Sequence, residues 1–289
     1  MLGAIAGDII GSPYEFGPKA PDGFPLFKDG PKLMDRSRIT DDTIMTVATA
    51  WALMTGKDFR AQYRAFGRRY PGRGYGGMFK EWLVDPKKGP YNSYGNGSAM
   101  RVSPVAFAYD DVKKVCEYAV KSAMPTHDHP EGVKGAVAVA MAVWMARRHA
   151  PKKEIAAAIS GYFGYDLRAP IEEIRKTYKF DESCQGSVPQ AIRAFLEADS
   201  FEGAVRLAVS LGGDADTQAC IAGSIAHPYY GVPPDIAREV ERRIPPALAG
   251  CIGLFCRVHR FGWEASGEPV RPFIGRRAPQ PVRRRRGSR

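Results

Sequence analysis

Apolar residues in this chain recur three and four positions apart, and strict apolar/polar alternation is scarce. Behind Thr40-Asp41-Asp42, for example, Ile44, Val47, Ala48, Trp51 and Met54 share one helical face, and Gly56 follows as a stop. The same reading predicts helices over about 2–10, 41–54, 58–70, 78–84, 99–108, 112–124, 130–149, 155–162 and 171–178. A further helix is expected behind a Ser187 cap, with Pro189 in its first turn. Others follow over 201–211 behind Ser200, then over 216–227, 234–241 and 246–255. The first helix carries Gly3, Gly7 and Gly11 at four-residue spacing, which lets another backbone approach one face. Residues 12–39 form a long irregular connection, a length often associated with function. Many helices joined by loops, without a repeat of fixed period, imply an all-α fold, a compact orthogonal multi-helix bundle.

Composition refines this picture at the C-terminal end. The body shows one composition regime, so a single all-α domain is expected over 1–265 and a Pro/Arg-rich tail, expected to be disordered, over 266–289. The net charge of +11 is uneven: Arg271, Arg276, Arg277, Arg283, Arg284, Arg285, Arg286 and Arg289 follow Pro269 with no acid among them. The body is therefore only mildly basic. No aromatic residues interleave the terminal arginines, so nucleic acid is not the expected partner, although the charge leaves an anionic tether open. The chain enters its first patterned segment without a basic leader, and the most apolar stretch, 133–145, is too short to span a bilayer. Cys116, Cys184, Cys220, Cys251 and Cys256 are scattered and odd in number, which favours free thiols in a reducing compartment. A monomeric cytoplasmic protein without a membrane span is expected.

The candidate chemistry begins with two acidic segments far apart in the chain. Thr40-Asp41-Asp42-Thr43 and Asp214-Ala215-Asp216-Thr217, the latter behind Gly212-Gly213, each offer two carboxylates and at least one hydroxyl. These hard oxygen donors suit Mg²⁺, Mn²⁺ or Ca²⁺ rather than zinc or copper. Each segment alone also reads as an ordinary helix N-cap before an apolar run. If folding brings them together, four carboxylates repel one another unless cations intervene, and a two-metal site is a device for hydrolysis.

Three other segments carry possible chemistry. Gly95-Asn96-Gly97-Ser98-Ala99-Met100-Arg101 is a small-residue run leading into a helix, suited to an anion such as a diphosphate or simply to a turn. It lacks the lysine-threonine ending of a P-loop. Thr126-His127-Asp128-His129-Pro130 lacks a third partner at zinc-site spacing and reads as a polar loop at a ligand or as a helix cap. Glu15 follows the first helix on the irregular connection.

Taken in order, Gly3-Ala4-Ile5-Ala6-Gly7-Asp8-Ile9-Ile10-Gly11 with Glu15, Thr40 to Thr43, Gly95 to Arg101, Thr126-His127 and Gly212 to Thr217 resemble the ADP-ribosylglycohydrolase family over residues 3–231. The resemblance implies an all-α fold with a binuclear Mg²⁺ or Mn²⁺ centre at helix N-termini. It implies Thr40, Asp41, Asp42, Asp214, Asp216 and Thr217 as metal ligands. Asp41, Asp42 or Glu15 is implied as the catalytic carboxylate. Tyr94, Gly95, Asn96, Gly97, Ser98, Met100 and His127 are implied to bind substrate, with the loop from Gly95 around the diphosphate of ADP-ribose. The implied activity is metal-dependent hydrolysis of the glycosidic bond between ADP-ribose and an acceptor, foremost arginine on a protein or a small ADP-ribosylated acceptor. The alternatives are a non-catalytic ADP-ribose or nucleotide reader, and a hydrolase of another ADP-ribosyl linkage or nucleotide.

Overall fold

The computed structural model of the chain describes residues 1–259, so the expected boundary at 265 and the basic tail fall outside the described residues. It is built from helices: α1 (Leu2–Gly11), α2 (Asp41–Thr55), α3 (Phe59–Arg69), α4 (Gly77–Val84), α5 (Gly97–Met100), α6 (Ser103–Ala108), α7 (Val112–Ala123) and α8 (Pro130–Ala146). The second half adds α9 (Lys152–Phe163), α10 (Ile171–Thr177), α11 (Cys184–Glu197), α12 (Phe201–Ser210), α13 (Ala215–Tyr230), α14 (Pro234–Arg243) and α15 (Pro246–Val258). Among the described residues extended pairing is limited to two isolated bridges, Asp29 with Arg36 and Gly95 with Ser183. The all-helical expectation holds.

Several helix boundaries differ from the sequence reading, and three of the differences involve a proline. The helix expected over 99–108 is two, α5 and α6, because Pro104 in the first turn of α6 has no N–H with which to continue the α5 ladder. α11 begins at Cys184 rather than behind Ser187. The cap is Ser183, whose Oγ accepts from the Gly186 N–H at 3.0 Å, and Pro189 lies inside the helix. α13 passes through Pro228 and ends at Tyr230, before Gly231 with its φ of 80°.

The packing of α1 against α13 organises the interior. Every residue of α1 is buried, and so is α13 from Ala215 to His227. A methyl group added to Gly3 would lie 2.2 Å from the Gly223 carbonyl oxygen, and one on Gly7 would lie 2.0 Å from that of Ala219. On Gly11 it would meet the Asp216 Cα at 2.5 Å. The pairing of 3 with 223, 7 with 219 and 11 with 216 makes the two helices antiparallel and leaves room for hydrogen alone at the contact. The small-residue spacing therefore decides function indirectly. It brings the C-terminal end of α1, with Asp8, against the N-terminal end of α13, with Asp216. Around this pair, α12, α11 and α8 pack on α13, while α2 packs on α1.

Candidate active site

α2 and α13 begin at the same place. Asp42 lies in the first turn of α2 and Asp216 in that of α13, and both are buried. The Thr217 hydroxyl donates to Asp42 Oδ2 at 3.3 Å, closing the gap between two segments 175 residues apart. Gly212 and Gly213, with φ of 73° and 68°, turn the chain from α12 into α13 in a conformation that side chains disfavour. The turn is pinned by Gln218 Nε2, which donates to the Gly212 carbonyl at 2.9 Å. It delivers Asp214 to the N-cap position of α13, yet its carboxylate makes no capping bond. Asp214 instead accepts from Asn96 Nδ2 at 2.6 Å, and Asn96 Nδ2 also donates to Ser187 Oγ at 3.0 Å.

The acid cluster has a member that sequence reasoning passed over. Asp8 of α1 is fully buried and lies under the first turn of α2. Its Oδ2 accepts from the N–H of Thr40 at 3.0 Å, from the N–H of Thr43 at 3.1 Å and from the Thr43 hydroxyl, and its Oδ1 accepts from the Thr40 hydroxyl at 2.7 Å. Carboxylate oxygens of Asp8, Asp42 and Asp216 lie within 4.8 Å of one another, as do those of Glu15, Asp214 and Asp216. An aspartate in a wholly buried helix of small and aliphatic residues was the signal available in the sequence.

Electrostatics in the cluster are unbalanced. Burial, and then the charges of neighbouring carboxylates, push Asp41, Asp42 and Asp216 well above the usual carboxylate range. Burial also raises Asp8, opposed by its bonds from Thr43 and Thr40. Glu15, half-buried on the connection after α1, is pushed up to about 7 by burial and then by Asp214. Among the described residues, no lysine or arginine forms an ion pair with Asp8, Asp41, Asp42, Asp214 or Asp216. Asp42 Oδ1 is buried with no hydrogen-bond partner. Converging hard oxygens, no matching cationic side chain and an orphaned carboxylate oxygen fit a bound divalent cation.

The cluster, Asp8 excepted, lines a cleft of about 250 Å³. Of the residues expected to act on substrate or metal, Glu15, Asp41, Asp42, Asp214, Asp216, Thr217, Tyr94, Gly95, Asn96, Gly97, Met100 and His127 all line it. Two are set apart. The Thr40 hydroxyl is directed to Asp8, and the Ser98 hydroxyl donates to the Gly132 carbonyl at 2.6 Å, behind the loop. The loop itself is clamped to the segment before α11: Asn96 N–H donates to the Glu182 carbonyl at 2.7 Å and Cys184 N–H to that of Tyr94 at 2.8 Å. Beside it, His127 is buried, whereas His129 caps α8, its Nδ1 accepting from the Glu131 N–H at 3.1 Å.

Sequence reasoning also missed the mouth. Phe16 is 67% exposed and Phe180 45% exposed, and their rings stack with centroids 5.2 Å apart. Both line the cleft, next to Glu15 and to the Gly213 turn. Neither lay in a recognisable motif.

Known proteins resemble this chain in sequence and fold. The sequence profile of the ADP-ribosylglycohydrolase family matches residues 1–255. The chain is 28% identical over 310 residues to the human ADP-ribosylhydrolase ARH3, covering 80% of this chain and 84% of that protein. It is 26% identical over 269 residues to the ADP-ribosylarginine hydrolase Tri1 of Pseudomonas putida (strain GB-1), covering 83% and 72%. A solved structure described as an ADP-ribosylglycohydrolase-related protein complex superposes with a TM-score of 0.68 and 26% identity, over 90% of this chain and 96% of that one. By sequence and by fold, the chain belongs to the ADP-ribosylglycohydrolase family.

Proposed function

We propose that this chain hydrolyses the glycosidic bond joining ADP-ribose to an arginine side chain, in a reaction that depends on two Mg²⁺ or Mn²⁺ ions. The observation that carries the reading is the convergence of Asp42, Asp214 and Asp216 on one cleft floor, joined through Asn96 to the Gly-rich loop. Asp41, Asp42, Asp214, Asp216 and Thr217 would hold the cations, with Thr40 placed by its bond to Asp8 at the edge of the set. Bound there, such ions offset the carboxylate charge, orient the ribose hydroxyls and lower the pKa of a nucleophilic water.

The remaining work falls to the chain itself. The bond from C1″ of ribose to the acceptor breaks with its electron pair leaving on the acceptor, through an oxocarbenium-like state. Water adds at C1″ and gives up a proton. Glu15, on the rim of the cleft beside Asp214 and Asp216, is the carboxylate placed to take that proton and pass it to the departing acceptor nitrogen. The loop from Gly95 to Gly97 and His127 would hold the ADP portion, fixing the ribose against the acid floor.

Two features support arginine as acceptor. The exposed Phe16–Phe180 pair offers aromatic faces to a planar guanidinium beside Glu15. One relative of comparable identity is named an ADP-ribosylarginine hydrolase. The second reading, another ADP-ribosyl linkage, is favoured by the similarity to the ARH3 proteins, whose name specifies no arginine. The test is incubation with a mono-ADP-ribosyl-arginine protein, with and without Mg²⁺, and detection of free ADP-ribose by mass spectrometry. Metal-dependent release is expected. Release only from serine- or nucleobase-linked substrates would overturn the arginine assignment, and no release from any would overturn the hydrolase.

A further inference from the structure

Beside the Gly-rich loop, His127 ends a chain of buried polar groups whose other members, Arg101 and Thr126, the proposed chemistry does not use. Arg101 is 1% exposed, and among the described residues it forms no ion pair. Its guanidinium lies 4.2 Å from the centroid of the Tyr63 ring. Nη2 donates to the Ser122 carbonyl at 3.0 Å and to Thr126 Oγ1 at 2.8 Å. Thr126 Oγ1 in turn lies 2.7 Å from His127 Nδ1.

The direction of each bond follows from the donor inventory. A guanidinium has hydrogens and no acceptor, so Thr126 Oγ1 must accept from Arg101. The Thr126 hydroxyl is fully buried and has one proton of its own to place. The acceptor within hydrogen-bond distance is His127 Nδ1. If Nδ1 carried a proton instead, two donors would point at Oγ1 and the buried hydroxyl proton would have to find another acceptor. The phenol of Tyr91, which also lies against this hydroxyl, has a proton of its own to place; donated to Oγ1, it fills the second lone pair beside the bond from Arg101 and leaves Nδ1 as the acceptor. The ring proton therefore belongs on Nε2, which faces the loop: a methyl on Gly97 would lie 3.1 Å from it and one on Gly95 3.7 Å.

We propose that Arg101 and Thr126 are positioning residues that fix His127 as the neutral Nε2–H tautomer, making it a hydrogen-bond donor to an anionic oxygen of the substrate rather than an acid, a base or a cation. Burial and the charge of Arg101 agree, since both hold the imidazole well below its ordinary pKa. The inference rests on the ADP-ribose reading of the cleft for the identity of that anion, but the tautomer does not.

The test is a long-range ¹H–¹⁵N correlation spectrum of the ¹⁵N-labelled full chain, assigned to His127 with a His127→Gln variant. The expected result is protonation at Nε2 and a bare Nδ1, unchanged across the neutral range. A proton on Nδ1, or an imidazolium near neutral pH, overturns the proposal whatever the enzyme hydrolyses. Two variants then read the consequence. Thr126→Ser should keep both tautomer and affinity. Thr126→Val, which removes the relay at nearly constant volume, should raise KM, or Kd for free ADP-ribose, roughly tenfold to a hundredfold, the worth of one hydrogen bond to a charged group. kcat should change much less. Equal KM in Val and wild type refutes the positioning role. A spectrum with the Nε2 proton but no ADP-ribose binding would retain the tautomer and overturn the substrate reading instead.

Discussion

Replacing Asp8 separates its structural role from its charge. The carboxylate accepts from the backbone N–H of Thr40 and of Thr43, two donors at the start of α2 that have no partner within the helix. Asp8→Ala orphans both. At about 1–3 kcal/mol for each buried unsatisfied donor, the loss is about 2–6 kcal/mol, a melting-temperature drop of roughly 4–20 °C for a domain near this size. Asp8→Asn behaves differently. Its amide oxygen can occupy the place of Oδ2 and keep both N–H bonds. Its NH₂ then meets the Thr40 hydroxyl, which can accept while turning its own proton towards Asp42 Oδ2, 3.3 Å away. The asparagine variant should therefore lose less than about 1 kcal/mol. Chemical denaturation of the three proteins, in chelator and again with Mg²⁺, measures the difference. Turnover should follow the same order, because loosening α2 shifts Asp41 and Asp42, and about 1 Å of displacement can cost on the order of 10²-fold in rate. If alanine and asparagine destabilise equally, or alanine is neutral, Asp8 does not anchor α2 as described.

Other expectations follow from the same geometry. Asp42→Ala and Asp214→Ala should abolish measurable turnover while leaving the circular dichroism helical; near-wild-type rates in either would remove the cation assignment. Gly7→Ala forces a methyl to within 2.0 Å of the Ala219 carbonyl oxygen, so it should destabilise by about 1–3 kcal/mol or more, and a neutral melting curve would contradict the α1–α13 contact. In chelator, Glu15 holds its proton up to about 7 when folded, against 4.5 for the free side chain. The folded state then binds more protons than the unfolded chain, so stability should fall as pH rises through that window, with Asp42 and Asp216 acting in the same direction. Mg²⁺ or Mn²⁺ should restore the lost stability at neutral pH, and a melting temperature indifferent to both pH and metal would count against the cluster.

The helices were legible because their apolar spacing and their caps are local. Asp58, Ser200 and Gly56 stand at the ends where such residues are expected. The four-residue glycine spacing also announced a close helix contact, although not its partner, since Gly223, Ala219 and Asp216 are more than 200 residues away. Prolines misled in both directions. Pro104 broke a predicted helix, while Pro189 and Pro228 are carried inside α11 and α13. The acid segments were legible as chemistry but ambiguous as geometry, because nothing local tells a cap from a ligand. Asp8 and the Arg101–Thr126 contact were illegible for a stronger reason. Their meaning lies in hydrogen bonds to groups 32, 35 and 25 residues distant, which no spacing rule reports.

The identity of the acceptor of the helix N–H groups resolves a conflict in the site. Two helix N-termini at one cleft present positive dipole ends, which favour anions and oppose a cation. Were Asp41 and Asp42 the caps of α2, their lone pairs would be spent on the backbone and the cation would compete with the helix for them. Asp8 removes that competition. It reaches from α1 to take the N–H groups of Thr40 and Thr43, placing a negative charge where the dipole needs one. Asp42 Oδ1 is left without a partner, and Asp214, at the N-cap position of α13, makes no capping bond. The number of acids then has a reason: Asp8 serves the start of α2, which leaves Asp42 with an oxygen free to serve an ion. An acidic first turn is thus neither cap nor ligand by its sequence. The deciding fact is whether another residue has already satisfied the backbone beneath it.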